Sequence, residues 1–225
     1  MGAMNILYQD DHILLIDKPA GLPVLPDGWE KDAPYLVKLL EESCGRLWVV
    51  HRLDKVTSGV IILARTADAH RNLNLQFERH EAQKVYHAIC VGAPKWDEHT
   101  ARHKLRINVG HSHRTAVDNS RGINAETHFT VLKRYQSYGL IEARPATGRT
   151  HQIRVHAYAL GHSLLGDTLY SAPATPTNNV GASDLIARPA LHAFSLTVTH
   201  PVSGAPISFE APYPEDFANA LKKLK

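Results

Sequence analysis

Cysteine is scarce in this chain: Cys44 and Cys90 are the only two among 225 residues, which excludes a disulfide framework and a CxxC metal or redox pair. Read in place, one falls at a probable helix end and the other in a strand, and both suit small core positions. No apolar run approaches the roughly 20 residues that cross a bilayer as a helix. The N-terminus has no basic stretch leading into a signal-type hydrophobic segment, so a cytoplasmic location is expected. GxGxxG, a P-loop and HExxH are all missing, and His151 and His156 stand five apart rather than four. His111 and His113 form the best local histidine pair, without a third ligand in view. No metal and no nucleotide cofactor is expected. Acidic residues are missing from one long stretch, His99 to Val117, where Arg102, Lys104, Arg106 and Arg114 are joined by His99, His103, His111 and His113. The net charge of +3 argues only weakly for nucleic acid, but this local asymmetry suits either a solvated hairpin or a surface that tracks phosphates.

What is present is ordinary globular material, 44% hydrophobic and 21% charged, in a length that allows one sizeable domain. Met1, Gly2 and Ala3, ahead of Met4, read as a leftover extension. Ile6 to Tyr8 and Ile13 to Ile16 read as a hairpin turning at Asp10-Asp11. Lys18-Pro19-Ala20-Gly21 breaks regular structure, and Asp32 or Pro34 can start a helix carrying Leu36, Leu39 and Leu40 inward. Thr66 can cap a helix with Ala69, Leu73 and Phe77 on one face. Lys84 to Gly92 reads as a strand, and Arg102 to Pro145 as a meander with turns at Gly110, Arg121-Gly122 and Ser137 to Gly139. Thr150 to Leu160 is helical, Ile153, Ala157 and Leu160 making its inner face and Gly161 closing it. Residues 171 to 189 read as a mobile loop. Leu191 to Thr199 and Ile207 to Ala211 complete the sheet before a terminal helix from Pro214. Neighbouring strands joined by turns, with a few helices, indicate an α+β fold on a mixed, mostly antiparallel sheet, organised as one domain over 1–225.

The most informative segment is His51-Arg52-Leu53-Asp54-Lys55-Val56-Thr57-Ser58-Gly59. Apolar runs flank it, Leu47 to Val50 and Val60 to Ala64, so it reads as an exposed connection between two buried strands, where chemistry is often placed. A guanidinium within a few Å keeps a carboxylate ionised, which makes Asp54 a candidate nucleophile or base. A surface ion pair is the plainer alternative.

The segment HRLDKVTSG resembles the signature of the RluA family of RNA pseudouridine synthases. KVYHAICVG at 84 to 92, GRTHQIRVHAYALGHSLLGD at 148 to 167, LHAFSLTVTHPVSG at 191 to 204 and the opening ILYQDDHILLIDKPAGLPV follow in that family's order, so the likeness runs over nearly the whole chain. The resemblance implies a pseudouridine synthase fold with flanking helices around a central cleft for RNA, and a chain beginning directly at the catalytic part, without the separate N-terminal RNA-binding domain that many relatives carry. It implies isomerisation of uridine in ribosomal or transfer RNA, needing no cofactor. Asp54 matches the family's catalytic aspartate, Arg154 the arginine that pairs with it, and Tyr86 the active-site tyrosine, which can stack on the target base and assist proton removal.

Such chemistry requires the uridine to be flipped out of its helix. Arg52 is placed to fill the gap, and Arg149 and His151 suit phosphate or base contacts at the rim. With the resemblance, Arg102, Lys104, Arg106 and Arg114 read as an RNA-backbone surface. Thr57, Ser58 and Gly59 read as shaping the turn, and Gly166-Asp167 as a helix exit or turn. Ser163 stands where the family commonly has proline, and Leu25 where many relatives have histidine. A stem-loop RNA bound by a monomer is expected. An RNA-binding module of the same fold without catalysis is the alternative, and a nucleoside-cleaving glycosidase is disfavoured because no second acid partner for Asp54 is evident.

Overall fold

A computed structural model describes residues 4–26, 33–110, 114–171 and 185–225. Met1 to Ala3, Asp32, His111, His113 and most of the expected 171–189 loop lie outside the described residues. In chain order the elements are β1 (Asn5–Gln9), β2 (Ile13–Lys18), α1 (Leu36–Cys44), β3 (Trp48–Val49), β4 (Ser58–Ala64), α2 (Ala67–Glu78), β5 (Gln83–Val91), β6 (Glu98–Val109), β7 (Arg114–Val117), β8 (Ile123–Arg134), β9 (Tyr138–Pro145), α3 (Gln152–Ala159), β10 (Leu191–Thr199), β11 (Pro206–Glu210) and α4 (Glu215–Lys223). This is the α+β, mostly antiparallel arrangement expected. The chain divides into two compact units, residues 1–84 with 193–214, and residues 85–192 with 215–225.

In the first unit β1 and β2 form the expected hairpin. Asp10 closes its turn, one carboxylate oxygen accepting from the backbone N–H of His12 at 2.7 Å and of Ile13 at 2.8 Å. β2 then pairs antiparallel with β4, from Ile13 opposite Ala64 to Lys18 opposite Gly59. Every residue of β4 is buried, which explains why both strands read as continuous apolar runs rather than alternating ones. Ile13, Leu15, Val60 and Ile62 face Ala69 and Leu73 of α2, with Leu196 and Val198 of β10 completing that core. Thr66 caps α2 as expected, its side chain accepting from the Ala69 N–H at 3.2 Å. Helix α1 starts at Leu36 and buries Leu36, Val37 and Leu40; Val37 takes the inner position expected of Leu39. Cys44 at its end is only half-buried, so the core-filler reading holds for Cys90 alone.

In the second unit the spatial order is β5-β9-β8-β6-β7. The expected meander is therefore corrected: β8 pairs with β6 rather than with β7, and β6 lies between them. Leu105 of β6 faces Val117 on one side and Ile123 on the other. The turn at Asp118 to Gly122 crosses β6 at Lys104 and Leu105, so tightly that a Cβ on Gly122 would lie 2.6 Å from the Lys104 carbonyl carbon. Turn residues stand at the same positions in either topology, so the pattern of turns cannot distinguish them. The core mixes small residues, Ala88, Cys90, Ala101 and Ala143, with Phe129 and Ile141, and α3 packs onto it through Ile153 and Ala157. Helix α4 carries Glu215 and Asp216 in its first turn and Lys222 and Lys223 in its last, the charge order that complements its dipole, and buries Phe217 and Ala220.

Candidate active site

The HRLD segment is the connection between β3 and β4, which pair antiparallel through Trp48 with Ala64 and Val49 with Leu63. Along it, burial varies: Arg52 is exposed, Leu53 buried and Asp54 half-buried. The Asp54 carbonyl accepts from the Thr57 N–H at 3.0 Å, closing a turn over Lys55 and Val56. The next carbonyl, that of Lys55, accepts from the Gly21 N–H at 2.7 Å and from Lys18 Nζ at 3.3 Å. Lys18 is 0% exposed, and its ammonium also donates to the carbonyls of Pro19 and Leu22, each at 2.8 Å. One buried cation thus ties the Lys18 to Leu22 loop to the turn that presents Asp54, its charge met by carbonyl dipoles.

The turn ends at Gly59, whose φ of 111° belongs to glycine and whose hydrogen faces the backbone of Ala193 so closely that a Cβ would overlap it. Glycine is required here for space as well as for backbone angle, which goes beyond the turn-shaping expected. At the other end of the turn, His51 stacks on Phe77 at 4.5 Å and 16°, and its Nε2 accepts the Ile62 N–H at 3.2 Å. Lost hydration, reinforced by the Lys84 ammonium, lowers the His51 pKa to about 3, which keeps that nitrogen an acceptor.

In the second unit Tyr86 lies on β5 opposite Ala143, half-buried against the small-residue core that includes Ala88 and Cys90, as expected from the strand face. Arg154 is buried at 6% exposure on α3, which excludes a surface role. Its Nε and Nη2 donate to the two carboxylate oxygens of Asp167 at 2.7 and 2.9 Å. This bidentate geometry fixes the guanidinium plane. Asp167, 4% exposed, also accepts from the backbone N–H groups of Leu169 and Tyr170, both at 3.1 Å. Gly166-Asp167 is the turn expected, and in addition supplies the counter-charge for Arg154.

Gln152 fixes the loop that leads into α3. Its Oε1 accepts from Thr147 Oγ1 at 2.6 Å and from the Arg149 N–H at 3.0 Å, while its Nε2 donates to the Glu126 carbonyl and to Thr127 Oγ1, both at 2.9 Å. Arg149 is exposed and His151 half-buried. On β6 and β7 the side chains of Arg102, Lys104, Arg106 and Arg114 are all exposed. Two of them meet acids from neighbouring segments: Arg102 donates to Glu126 at 2.8 Å, and Arg106 lies 3.6 Å from Asp118. The stretch without acids in sequence is thus partly neutralised in space. Among the described residues no cluster of three or more His, Cys, Asp or Glu side chains could hold a metal ion.

The ties made by Lys18, Gln152 and Asp167 escaped sequence reading. Each lies inside a quoted segment, but a lysine, a glutamine and a turn aspartate carry no sign of the partners they meet.

The RNA pseudouridylate synthase family matches residues 12–159, and the chain belongs to that family. It is 36% identical over 98% of its length to ribosomal large subunit pseudouridine synthase D of Zymomonas mobilis, covering 73% of that protein, and 37% identical over 99% to the protein of the same name from Neisseria meningitidis, covering 62% of it. Among these relatives, then, the chain spans roughly two thirds of the full length. Among solved structures it resembles human RNA pseudouridylate synthase domain containing 4, with a TM-score of 0.78 and 28% identity over 98% of this chain and 94% of that one. It also resembles domain containing 1, with a TM-score of 0.76 and 26% identity over 94% and 84%.

Proposed function

We propose that this chain converts uridine to pseudouridine in large-subunit ribosomal RNA, using Asp54 as nucleophile with Tyr86 and Arg154 as the other catalytic residues. The relatives' names support the substrate, and the family supports the reaction class. It acts as a monomer in the cytoplasm, where ribosomal RNA is available to a protein with no helix long and apolar enough to span a membrane among its described residues.

The observation that carries the reading is the turn presenting Asp54. The bonds at the Asp54 and Lys55 carbonyls and the close approach at Gly59 hold this turn through its backbone. A positioned carboxylate can attack the flipped nucleotide at its sugar or its uracil ring. The bond from uracil N1 to ribose C1′ breaks, the ring turns, a bond forms from C5 to C1′, C5 loses its proton and N1 gains one. No atom or electron is added overall. Arg154, its guanidinium fixed by Asp167, is the cationic member of this set. Tyr86 stacks on the base and its hydroxyl assists removal of the C5 proton. Arg52 fills the space the base has left, and Arg149, His151 and the basic residues of β6 and β7 contact RNA phosphates.

Asp54→Ala should lower pseudouridine formation by on the order of 10³-fold or more while RNA affinity stays within about threefold of the unsubstituted protein. A variant that isomerises uridine at the normal rate overturns the reading. Mapping pseudouridines in large-subunit RNA from cells with and without the gene tests the substrate.

A further inference from the structure

Arg188 lies between the segments that carry the family likeness, in a stretch whose composition reads as loop, yet its side chain is firmly tied and only 11% exposed. Its Nε and Nη2 donate to the two carboxylate oxygens of Asp216, in the first turn of α4, at 2.7 and 2.9 Å. Its Nη1 turns back to the chain and donates to the carbonyls of Pro189 and Leu191, each at 3.2 Å. Asp216 also accepts the Phe217 N–H at 2.7 Å, at a helix end that favours negative charge. One planar guanidinium therefore shapes the backbone of 188–191 and fastens it to a helix anchored by the buried Phe217 and Ala220.

That backbone is a wall for the turn that holds Arg154. The Ala190 N–H donates to the Leu165 carbonyl at 2.8 Å, the Ile89 N–H of β5 donates to the Ala190 carbonyl at 3.0 Å, and the Leu165 N–H donates to the Ile89 carbonyl at 2.8 Å. Gly166 follows, at a φ of 75°, and packs so closely against the same segment that a Cβ would lie 2.3 Å from the Arg188 carbonyl oxygen and 2.8 Å from that of Ile186. The next residue is Asp167, whose two oxygens clamp Arg154. The links from Arg188 to Arg154 are short and rigid: an ion pair, backbone bonds, a glycine contact and a second bidentate ion pair.

We propose that Arg188 is a positioning residue for Arg154: by fastening 188–191 to α4 it keeps the wall against which Gly166 turns, and through that turn it sets the Asp167 carboxylate and the plane of the Arg154 guanidinium. The inference rests on the functional reading above, which gives Arg154 its place in the chemistry.

The test is a double-mutant cycle on an unmodified in vitro transcript of large-subunit ribosomal RNA. It is read as single-turnover pseudouridine formation at saturating protein, at a temperature where circular dichroism shows each variant folded. Arg188→Met keeps an apolar stem and removes the guanidinium; it should lower the rate about tenfold while RNA affinity stays within about twofold. Arg154→Lys keeps a charge but gives up the fixed plane, so it lowers the rate by itself and leaves little for Arg188 to set. In that background Arg188→Met should change the rate by less than about twofold. Asp216→Ala cuts the same tie from its more exposed end; it should repeat the pattern with a loss of about threefold, and it carries the cycle alone if Arg188→Met does not fold. Thr66→Ala, which removes the cap of α2, is the control for lost stability and should hold the rate within about twofold. Equal rate losses in the two backgrounds, no loss in either, an equal loss in Thr66→Ala, or an Arg154→Lys protein of undiminished rate overturns the inference. Asp54→Ala assayed alongside separates the two failures. If it is active, or if the unsubstituted protein forms no pseudouridine, the functional reading falls and takes the inference with it; if it is inactive while the cycle is additive, the inference alone falls.

Discussion

The turn carrying Asp54 and the segment carrying Arg154 are held in place by opposite means. The turn is gripped through main-chain groups, by the carbonyls of Asp54 and Lys55 and by the missing side chain of Gly59. Arg154 is gripped through side chains, by the two oxygens of Asp167 and the ring of Tyr170. The bonds to the Asp54 and Lys55 carbonyls do not depend on the side chain at position 54, so substituting Asp54 leaves those holds on the turn in place. A group set by partner side chains moves when any of them is cut back.

The sharpest way to break this comparison is Asp167→Ala. It leaves the buried Arg154 charge without its counter-ion, and breaking such a pair by removing one partner costs about 3 to 5 kcal/mol. Urea unfolding should show a loss of stability of that size together with loss of activity. A shift below about 1 kcal/mol would mean that Arg154 is not held by Asp167. Next comes Gly59→Ala, which brings a Cβ against the Ala193 backbone at a φ of 111°. Strain and overlap together should cost about 2 to 4 kcal/mol. Activity should fall with stability, because the turn cannot move without carrying Asp54; a fully active, undestabilised Gly59→Ala protein would show that the backbone does not grip the turn.

A third effect concerns acid. The His51 pKa falls from an ordinary 6.5 to about 3 in the folded protein, so the unfolded chain binds the proton more readily between those values. The stability from keeping His51 neutral is fully present above pH about 6.5 and is lost as pH falls toward 3. Thermal melts over that range should decline less steeply for His51→Asn, which does not titrate. Identical slopes would remove His51 from the supports of the turn.

Much of the fold was legible in the sequence because the signals were local. The Thr66 cap and the apolar runs of β2 and β4 each state their structure within a few residues. The placement of β7 was not legible, since the same turn residues serve a meander and the observed order β8-β6-β7. The neutralisation of Arg102 by Glu126 was hidden for a similar reason, the two being neighbours only across strands.

The sequence alone determined the family, the residue types available for chemistry and the loop that carries Asp54, because these depend on short segments and their order. Tertiary structure alone decided that Arg154 is clamped by Asp167, that Lys18 is a buried tie to the Asp54 turn, and that Tyr170 reaches Thr115, His151 and Arg154 together. The physical reason is that a buried charge or hydroxyl must find a partner wherever the folded chain supplies one, and no rule of spacing says where that will be.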